Sequence, residues 1–316
     1  MIEQYPQVQK IYEDIQKLNI QGATNIALSV FEGMKLYLSQ SKEEDPQKLF
    51  EEFFEIGNML SEARPNEPLA KNGVKYVSYF FKKEIPVLPA LSTMKPRLEE
   101  LCEEYLQIVS ESKKNLVEKS KEYLKNYDKI FTHCHSSAAV NLIKELSQGD
   151  KEFEVVCTET RPRMQGRITA KNLVDAGVKT TMITDSAAES FIINRGNVPI
   201  DVVFIGCDQI VKGGHAINKI GSWGIGMAAH YADKPLYVVT PLLKIDEASF
   251  NGEIEIEVRE DSEIWPDAPK DLEIYNPAFE IVDNVLITGF VTEFGITKPS
   301  EIDNLAKEKY PWLFDN

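Results

Sequence analysis

The sequence predicts an α/β protein, with a helical domain over residues 1–126 followed by a domain over residues 127–316 built on a mostly parallel sheet. Two observations carry this. Up to about residue 126, apolar residues recur at spacings of three and four, the period of helices with one buried face. From Lys129 onward short apolar runs alternate with helix-like segments, the pattern of strands joined by crossover helices.

In the first domain the clearest helix runs from Met94 to Asn126. Leu98, Leu101, Cys102, Tyr105, Ile108, Val109, Leu116 and Leu124 approximate one face, and Glu99, Glu103, Glu104 and Lys113 lie off it. Pro86, Pro89 and Pro96 punctuate the stretch before it, because proline lacks a backbone donor and disfavours helix in its predecessor. A loop is expected near Pro86 to Ser92. In the second domain, strands are expected at 129–133, 153–157, 180–184, 201–206, 235–239 and 284–290. Helices are expected at Ser137 to Leu146, Gln165 to Ala176, Ala187 to Asn194, after Ile220, and from Ser300 to Lys309. The apolar runs are too continuous for strands with one wet face, so the sheet should be buried on both sides. Residues 246–280, rich in Glu, Asp and Pro, read as an acidic excursion between two strands.

The balance of 35 Lys plus Arg against 50 Asp plus Glu leaves a net charge of −15, which argues against a nucleic-acid surface, since the basic residues are spread along the chain. Any anionic ligand must be held locally. A composition 43% hydrophobic and 27% charged is that of an ordinary globular protein. No run approaches the roughly 18–20 apolar residues that span a bilayer, and the first twenty residues lack the pattern of a secretory signal, so a cytoplasmic protein without membrane contact is expected. Cys102, Cys134, Cys157 and Cys207 are too scattered for a disulfide framework or a structural zinc site.

Ligands of open parallel sheets bind beyond the carboxyl ends of the strands. Reading outward from each run gives His133, Cys134 and His135; Thr158, Glu159, Thr160 and Arg161; Asp185 and Ser186; Cys207 and Asp208; and Thr240. Cys134, followed by His135-Ser136-Ser137 and a helix, is either a thiol whose thiolate is favoured by the helix N-terminus or a small buried residue at a strand end. His133-Cys134-His135 does not read as a metal site, because alternate strand residues face opposite ways and no second ligand pair is visible. Asp208 emerges directly from an apolar strand. It is a proton donor with a pKa raised by burial, or a loop cap. Asp185 is equally a cap or a ligand, and Cys157 and Cys207 are core thiols. The segment Gly213 to Ser222 sets glycines, Asn218 and Lys219 before a helix, where backbone N–H groups and the lysine charge can grip a phosphate. Gln21-Gly22-Ala23-Thr24 offers a similar option, with Arg64 and Lys244 as distant partners.

Together these residues carry a resemblance. Thr132-His-Cys-His-Ser136, Cys157-Thr-Glu-Thr-Arg-Pro162 with Gln165-Gly166, Asp185-Ser-Ala187, Gly206-Cys-Asp208 and Ile217-Asn-Lys-Ile-Gly221 resemble the ribose-1,5-bisphosphate isomerases. These share a superfamily with methylthioribose-1-phosphate isomerase and the alpha, beta and delta subunits of translation initiation factor 2B. The likeness continues at Arg64-Pro65, Asn276-Pro-Ala-Phe279, Ile287-Thr288 and Glu293-Phe-Gly-Ile296. It implies a Rossmann-like second domain and a hexamer built as a trimer of dimers. The implied reaction converts alpha-D-ribose 1,5-bisphosphate to D-ribulose 1,5-bisphosphate, within AMP or nucleoside breakdown, without metal or other cofactor. Cys134 takes the part of proton acceptor and Asp208 that of proton donor. Gln21, Gly22, Ala23, Thr24, Arg64, His135, Ser136, Arg161, Asn218, Lys219 and Lys244 are the implied substrate-binding residues. Where the isomerases usually carry Arg-Gly-Ala this chain has Gln21-Gly22-Ala23, which removes one charge from the implied phosphate site. The competing readings are a methylthioribose-1-phosphate isomerase, whose cysteine motif typically continues Asn-Thr-Gly rather than His-Ser-Ser, and a non-catalytic regulatory subunit, which has no need of Cys134 and Asp208.

Overall fold

The computed structural model describes residues 2–64, 66–85, 87–149, 152–252 and 254–315, so that Pro65 and Pro86 of the sequence motifs lie outside the described residues. Two compact units are present. One is Met1–Glu111 with Leu243–Glu247 and Ala306–Asn316; the other is Ser112–Leu242 with Ala248–Leu305.

The first unit is helical: α1 (Pro6–Gln16), α2 (Ala23–Gln40), α3 (Pro46–Ser61), α4 (Pro68–Glu84) and the Leu91–Glu111 part of α5 (Leu91–Leu124). Proline opens α1, α3 and α4, where its missing N–H would have no helical partner anyway. Asp45 caps α3 by accepting from the Gln47 amide. Leu98, Leu101, Cys102, Tyr105 and Val109 of α5 are buried as the spacing predicts, and the Tyr105 hydroxyl donates to the Leu69 carbonyl at 2.7 Å. Pro96 lies inside α5 instead of before it, and Ser92 is helical instead of loop. The helix tolerates the proline because both Pro96 and Ser92, whose carbonyl loses its partner, are exposed to water.

The second unit holds a seven-stranded sheet of order β10-β9-β7-β4-β1-β2-β3. Its strands are β1 (Lys129–His133), β2 (Glu154–Thr158), β3 (Lys179–Ile183), β4 (Val202–Ile205), β7 (Leu236–Val239), β9 (Gly289–Thr292) and β10 (Gly295–Thr297). All neighbours are parallel except β9 and β10. The helices are α6 (Ser137–Leu146), α7 (Gly166–Val174), α8 (Ala188–Ile192), α9 (Ser222–Tyr231) and α10 (Pro299–Lys309). Ile130, Val155, Val202, Phe204, Val239 and Val291 bury one face of the sheet with Leu142, Ile143 and Leu146 of α6. Two-sided burial holds for the central strands, but Lys179 and Met182 on the edge strand β3 are exposed.

Two expectations need correction. Residues 284–290 begin with a helical turn, Asn284–Leu286, and the strand starts only at Gly289. A second sheet, β5 (Gln209–Val211), β6 (His215–Lys219) and β8 (Phe279–Val282), is antiparallel and takes up the segment read as a phosphate loop. Gly213 and Gly214 have positive φ and form the β5–β6 turn, so Asn218 and Lys219 sit on a strand paired on both edges, in register with Glu280 and Phe279.

Candidate active site

Strand order reverses between β1 and β4, and a parallel sheet opens a crevice at the carboxyl ends of such a pair. Cys134 follows β1 and Asp208 follows β4, so both emerge at this point. Cys134 is 8% exposed and has a φ of 64°. Its backbone N–H donates to Thr160 Oγ1 at 3.0 Å, its carbonyl accepts from the Thr169 hydroxyl at 2.8 Å, and its Sγ lies 3.7 Å from Gln165 Oε1. The expected thiolate is not the resting form. Burial pushes the thiol up to about 11, outweighing Lys219, the His135 backbone and Arg259, which favour the anion, while Asp208 opposes it.

Lys219 is the cation whose charge most favours the Cys134 thiolate. It is 5% exposed, its ammonium stands 4.4 Å from the Phe279 ring centroid, and burial lowers its pKa from 10.5 while the charges of Cys134 and Asp208 raise it. The Asn218 amide donates to Ser222 Oγ at 2.8 Å, and that hydroxyl donates to the Lys219 carbonyl at 2.6 Å. These bonds lock the strand end into α9. Asp208 is half-buried, with its amide bonded to the Ile217 carbonyl at 2.8 Å.

Behind Cys134 lies a polar ladder. His133 Nδ1 is 2.7 Å from Thr158 Oγ1 and its Nε2 is 2.9 Å from the Ile220 carbonyl; Thr158 Oγ1 is in turn 3.1 Å from Thr160 Oγ1. Burial drives His133 down to about 4, so the ring is neutral. The two oxygens of Asp185 accept the amides of Thr160 and Arg161 at 2.7 and 2.6 Å. Gly221, at φ 103°, brings its Cα so near the His133 ring that a Cβ would stand 3.2 Å from it. Gly166 is tighter: a Cβ there would lie 1.8 Å from the Thr158 carbonyl oxygen. Of the other candidates, His135 is 3.0 Å from the Thr169 hydroxyl and Ser136 caps α6 by accepting from the Ala139 amide. Arg161 is exposed and donates to the Ile264 carbonyl at 3.0 Å.

Arg259 completes this group and escaped the sequence reading. Its guanidinium lies 5.8 Å from the same Phe279 ring and bonds Glu257 at 2.9 Å, and it lines a narrow crevice with Arg161, Arg163, Gln165, Lys219 and Glu263. The available signal was the alternation Ile254-Glu-Ile-Glu-Val-Arg259, a strand period inside the acidic excursion; Ile254 and Ile256 pack beside Phe279. No group of three His, Cys, Asp or Glu among the described residues is arranged to hold a metal ion.

The remaining candidates belong to the first unit. Gly22 caps α2, with Gln21 before it donating to the Leu18 carbonyl at 2.7 Å and Ala23 and Thr24 in its first turn. Arg64 is buried against Glu67, at 3.3 Å. Lys244 ends a short helical turn, and the Asn72 amide donates to the carbonyls of both Leu243 and Ile245, each at 2.8 Å.

With this geometry in view, comparison with known proteins is informative. The chain is 32% identical over 309 residues to ribose 1,5-bisphosphate isomerase of Methanocaldococcus jannaschii, covering 97% of this chain and 96% of that one. It is also 32% identical over 321 residues to a methylthioribose-1-phosphate isomerase of Thermoanaerobacter, covering 95% and 91%. In fold it matches the crystal structure of translation initiation factor eIF-2B of Pyrococcus horikoshii, with a TM-score of 0.77 at 22% identity over 92% of this chain and 97% of that one. Residues 19–299 match the sequence pattern of a single family across nearly the whole length, and the chain belongs to the initiation factor 2 subunit family.

Proposed function

We propose that the protein is a sugar-phosphate isomerase and that its substrate is alpha-D-ribose 1,5-bisphosphate, converted to D-ribulose 1,5-bisphosphate. The observation that carries the reading is the joint placement of the Cys134 thiol, the Asp208 carboxyl and the buried Lys219 cation where the strand order reverses. Relatives named as isomerases of ribose 1,5-bisphosphate and of methylthioribose 1-phosphate support the reaction class. The choice between them rests on charge. Arg161, Arg163, Lys219 and Arg259 line the crevice against Glu263; with Arg163 paired to Glu263 at 2.7 Å and Arg259 to Glu257 at 2.9 Å, the charges of Arg161 and Lys219 keep it cationic, which suits a second phosphate better than a thioether.

The chemistry needs one acid and one base. Because the C1 oxygen of this sugar is esterified, the bond from C1 to the ring oxygen opens with electrons from the C2–H bond. A base takes the C2 proton, C1=C2 forms, and an acid protonates the ring oxygen. Return of a proton to C1, with loss of one from the enol hydroxyl, gives the 2-ketone. Cys134 is proposed as the base and Asp208 as the acid. Lys219 is proposed to hold phosphate, and Asn218, His135, Ser136 and Arg161 are proposed as further substrate ligands. Gln21–Thr24, Arg64 and Lys244 are proposed as phosphate ligands on the family resemblance. That resemblance also supplies, as proposals, the hexamer built as a trimer of dimers, the cytoplasmic location and the place in AMP or nucleoside breakdown.

The test is to incubate the purified protein with ribose 1,5-bisphosphate and, separately, methylthioribose 1-phosphate, following each product by phosphorus NMR. Ribulose 1,5-bisphosphate should form with a kcat/KM at least tenfold above that for the thioether sugar. The reverse ratio overturns the substrate, and no turnover of either overturns the enzyme.

A further inference from the structure

Cys134 and Thr160 are both non-glycine residues in the left-handed backbone region, with φ of 64° and 63°. Such a conformation is unfavourable for a residue with a side chain and persists only where its surroundings impose it. Here the hydrogen-bond polarity shows what imposes it. The Ile220 carbonyl can only accept, so His133 Nε2 carries the ring hydrogen and Nδ1 is the bare acceptor. Thr158 must then donate to Nδ1, and its oxygen is left to accept from the Thr160 hydroxyl. The Thr160 oxygen in turn accepts the Cys134 N–H. Every donor has one acceptor and the direction is unique, running from the Cys134 amide to the carbonyl beside Lys219. The neutral His133 ring is the form this order requires.

Asp185 anchors the middle of the ladder from a third strand end, since its two oxygens take the consecutive amides of Thr160 and Arg161 and hold Thr160 in its own left-handed turn. Among the described residues the Cys134 amide has no other acceptor. Strand pairing of β1 ends at His133, one residue earlier.

We infer that Thr160 is a positioning residue for Cys134: through its hydroxyl, Asp185 and the His133–Thr158 pair hold the cysteine backbone in the left-handed turn that sets Sγ 3.7 Å from Gln165. The inference rests on Cys134 being the proton acceptor proposed above. A misplacement of the reacting atom by about 1 Å can cost on the order of a hundredfold in rate.

Thr160→Val keeps the branched shape and removes the hydroxyl, and Thr160→Ser keeps the hydroxyl. With ribose 1,5-bisphosphate, Thr160→Val should lower kcat by about tenfold or more with KM within about threefold of the parent, and Thr160→Ser should restore kcat to within about threefold. A second readout does not depend on the substrate. Amide hydrogen exchange across residues 131–136, followed by mass spectrometry on the full chain, should quicken about tenfold or more in Thr160→Val and stay at the parent rate in Thr160→Ser. If the exchange result holds while the parent fails to turn over the bisphosphate, the backbone role stands and the substrate reading fails. An unchanged kcat in Thr160→Val of an active parent, unchanged exchange, or equal losses in both variants with a lowered Tm would each overturn the inference.

Discussion

A thiol that burial pushes up to about 11 is an unpromising base taken alone, and the proposal that Cys134 and Asp208 serve one proton transfer stands on their both following strands at the point where the strand order reverses. Substitution tests the two assignments directly. Cys134→Ser and Asp208→Asn preserve shape but remove the transferable proton chemistry, so each should cost about 10²- to 10⁴-fold in kcat, at least about 3 kcal/mol in the barrier. Binding of the bisphosphate, measured by calorimetry, should change little. The double variant should lose less than the product of the two, because both residues serve one proton-transfer sequence. Normal kcat in both single variants would leave a binding protein.

Secondary-structure elements decide how much of this was legible beforehand. Asp208 could be found because it follows a continuous apolar run, and Cys134 because it lies just beyond the short strand Lys129–His133 where the chain turns into a helix; a buried strand announces its carboxyl end by the polar residues after it. The small antiparallel sheet could not. Its β5 is three residues long, and β6 carries His215, Asn218 and Lys219 among only two apolar residues, too short a pattern for a period to emerge. Asn72 and Arg259 acquire their roles through partners or neighbours far along the chain, 171 residues away for the bond from Asn72 to Leu243, and no local pattern encodes such a meeting. Gly166 illustrates the reverse case, a residue whose importance is entirely local geometry. It starts α7 where the chain passes against the end of β2, and a methyl group 1.8 Å from the Thr158 carbonyl must displace backbone. Gly166→Ala should therefore destabilise the protein by about 2 kcal/mol or more in urea unfolding, well beyond the usual effect of a surface substitution, and should disturb the Thr158–His133 ladder with it. A variant as stable as the parent would mean that the α7 start shifts freely.

For the molecule as a whole, a net charge of −15 surrounds a crevice lined by four cations and one carboxylate, Glu263. A bisphosphate is repelled at long range and attracted at contact. Added salt screens the first more than the second, since the screening length falls from about 30 Å to about 10 Å between 0.01 and 0.1 M. KM for a bisphosphate should accordingly fall over that interval in steady-state assays, and a monotonic rise would show that the local cations dominate at every range. Light scattering at micromolar concentration should report an assembly larger than one chain, as the proposed hexamer requires; a monomer would remove it. The division of the chain adds a temporal constraint. The first unit draws on residues 243–247 and 306–316: Asn72 grips the carbonyls of Leu243 and Ile245, and the Trp312 ring packs edge-on against Tyr76 at 5.3 Å. During synthesis on the ribosome the five N-terminal helices therefore emerge with binding places still vacant for strands of polypeptide not yet translated, and the unit made first is among the last to be finished.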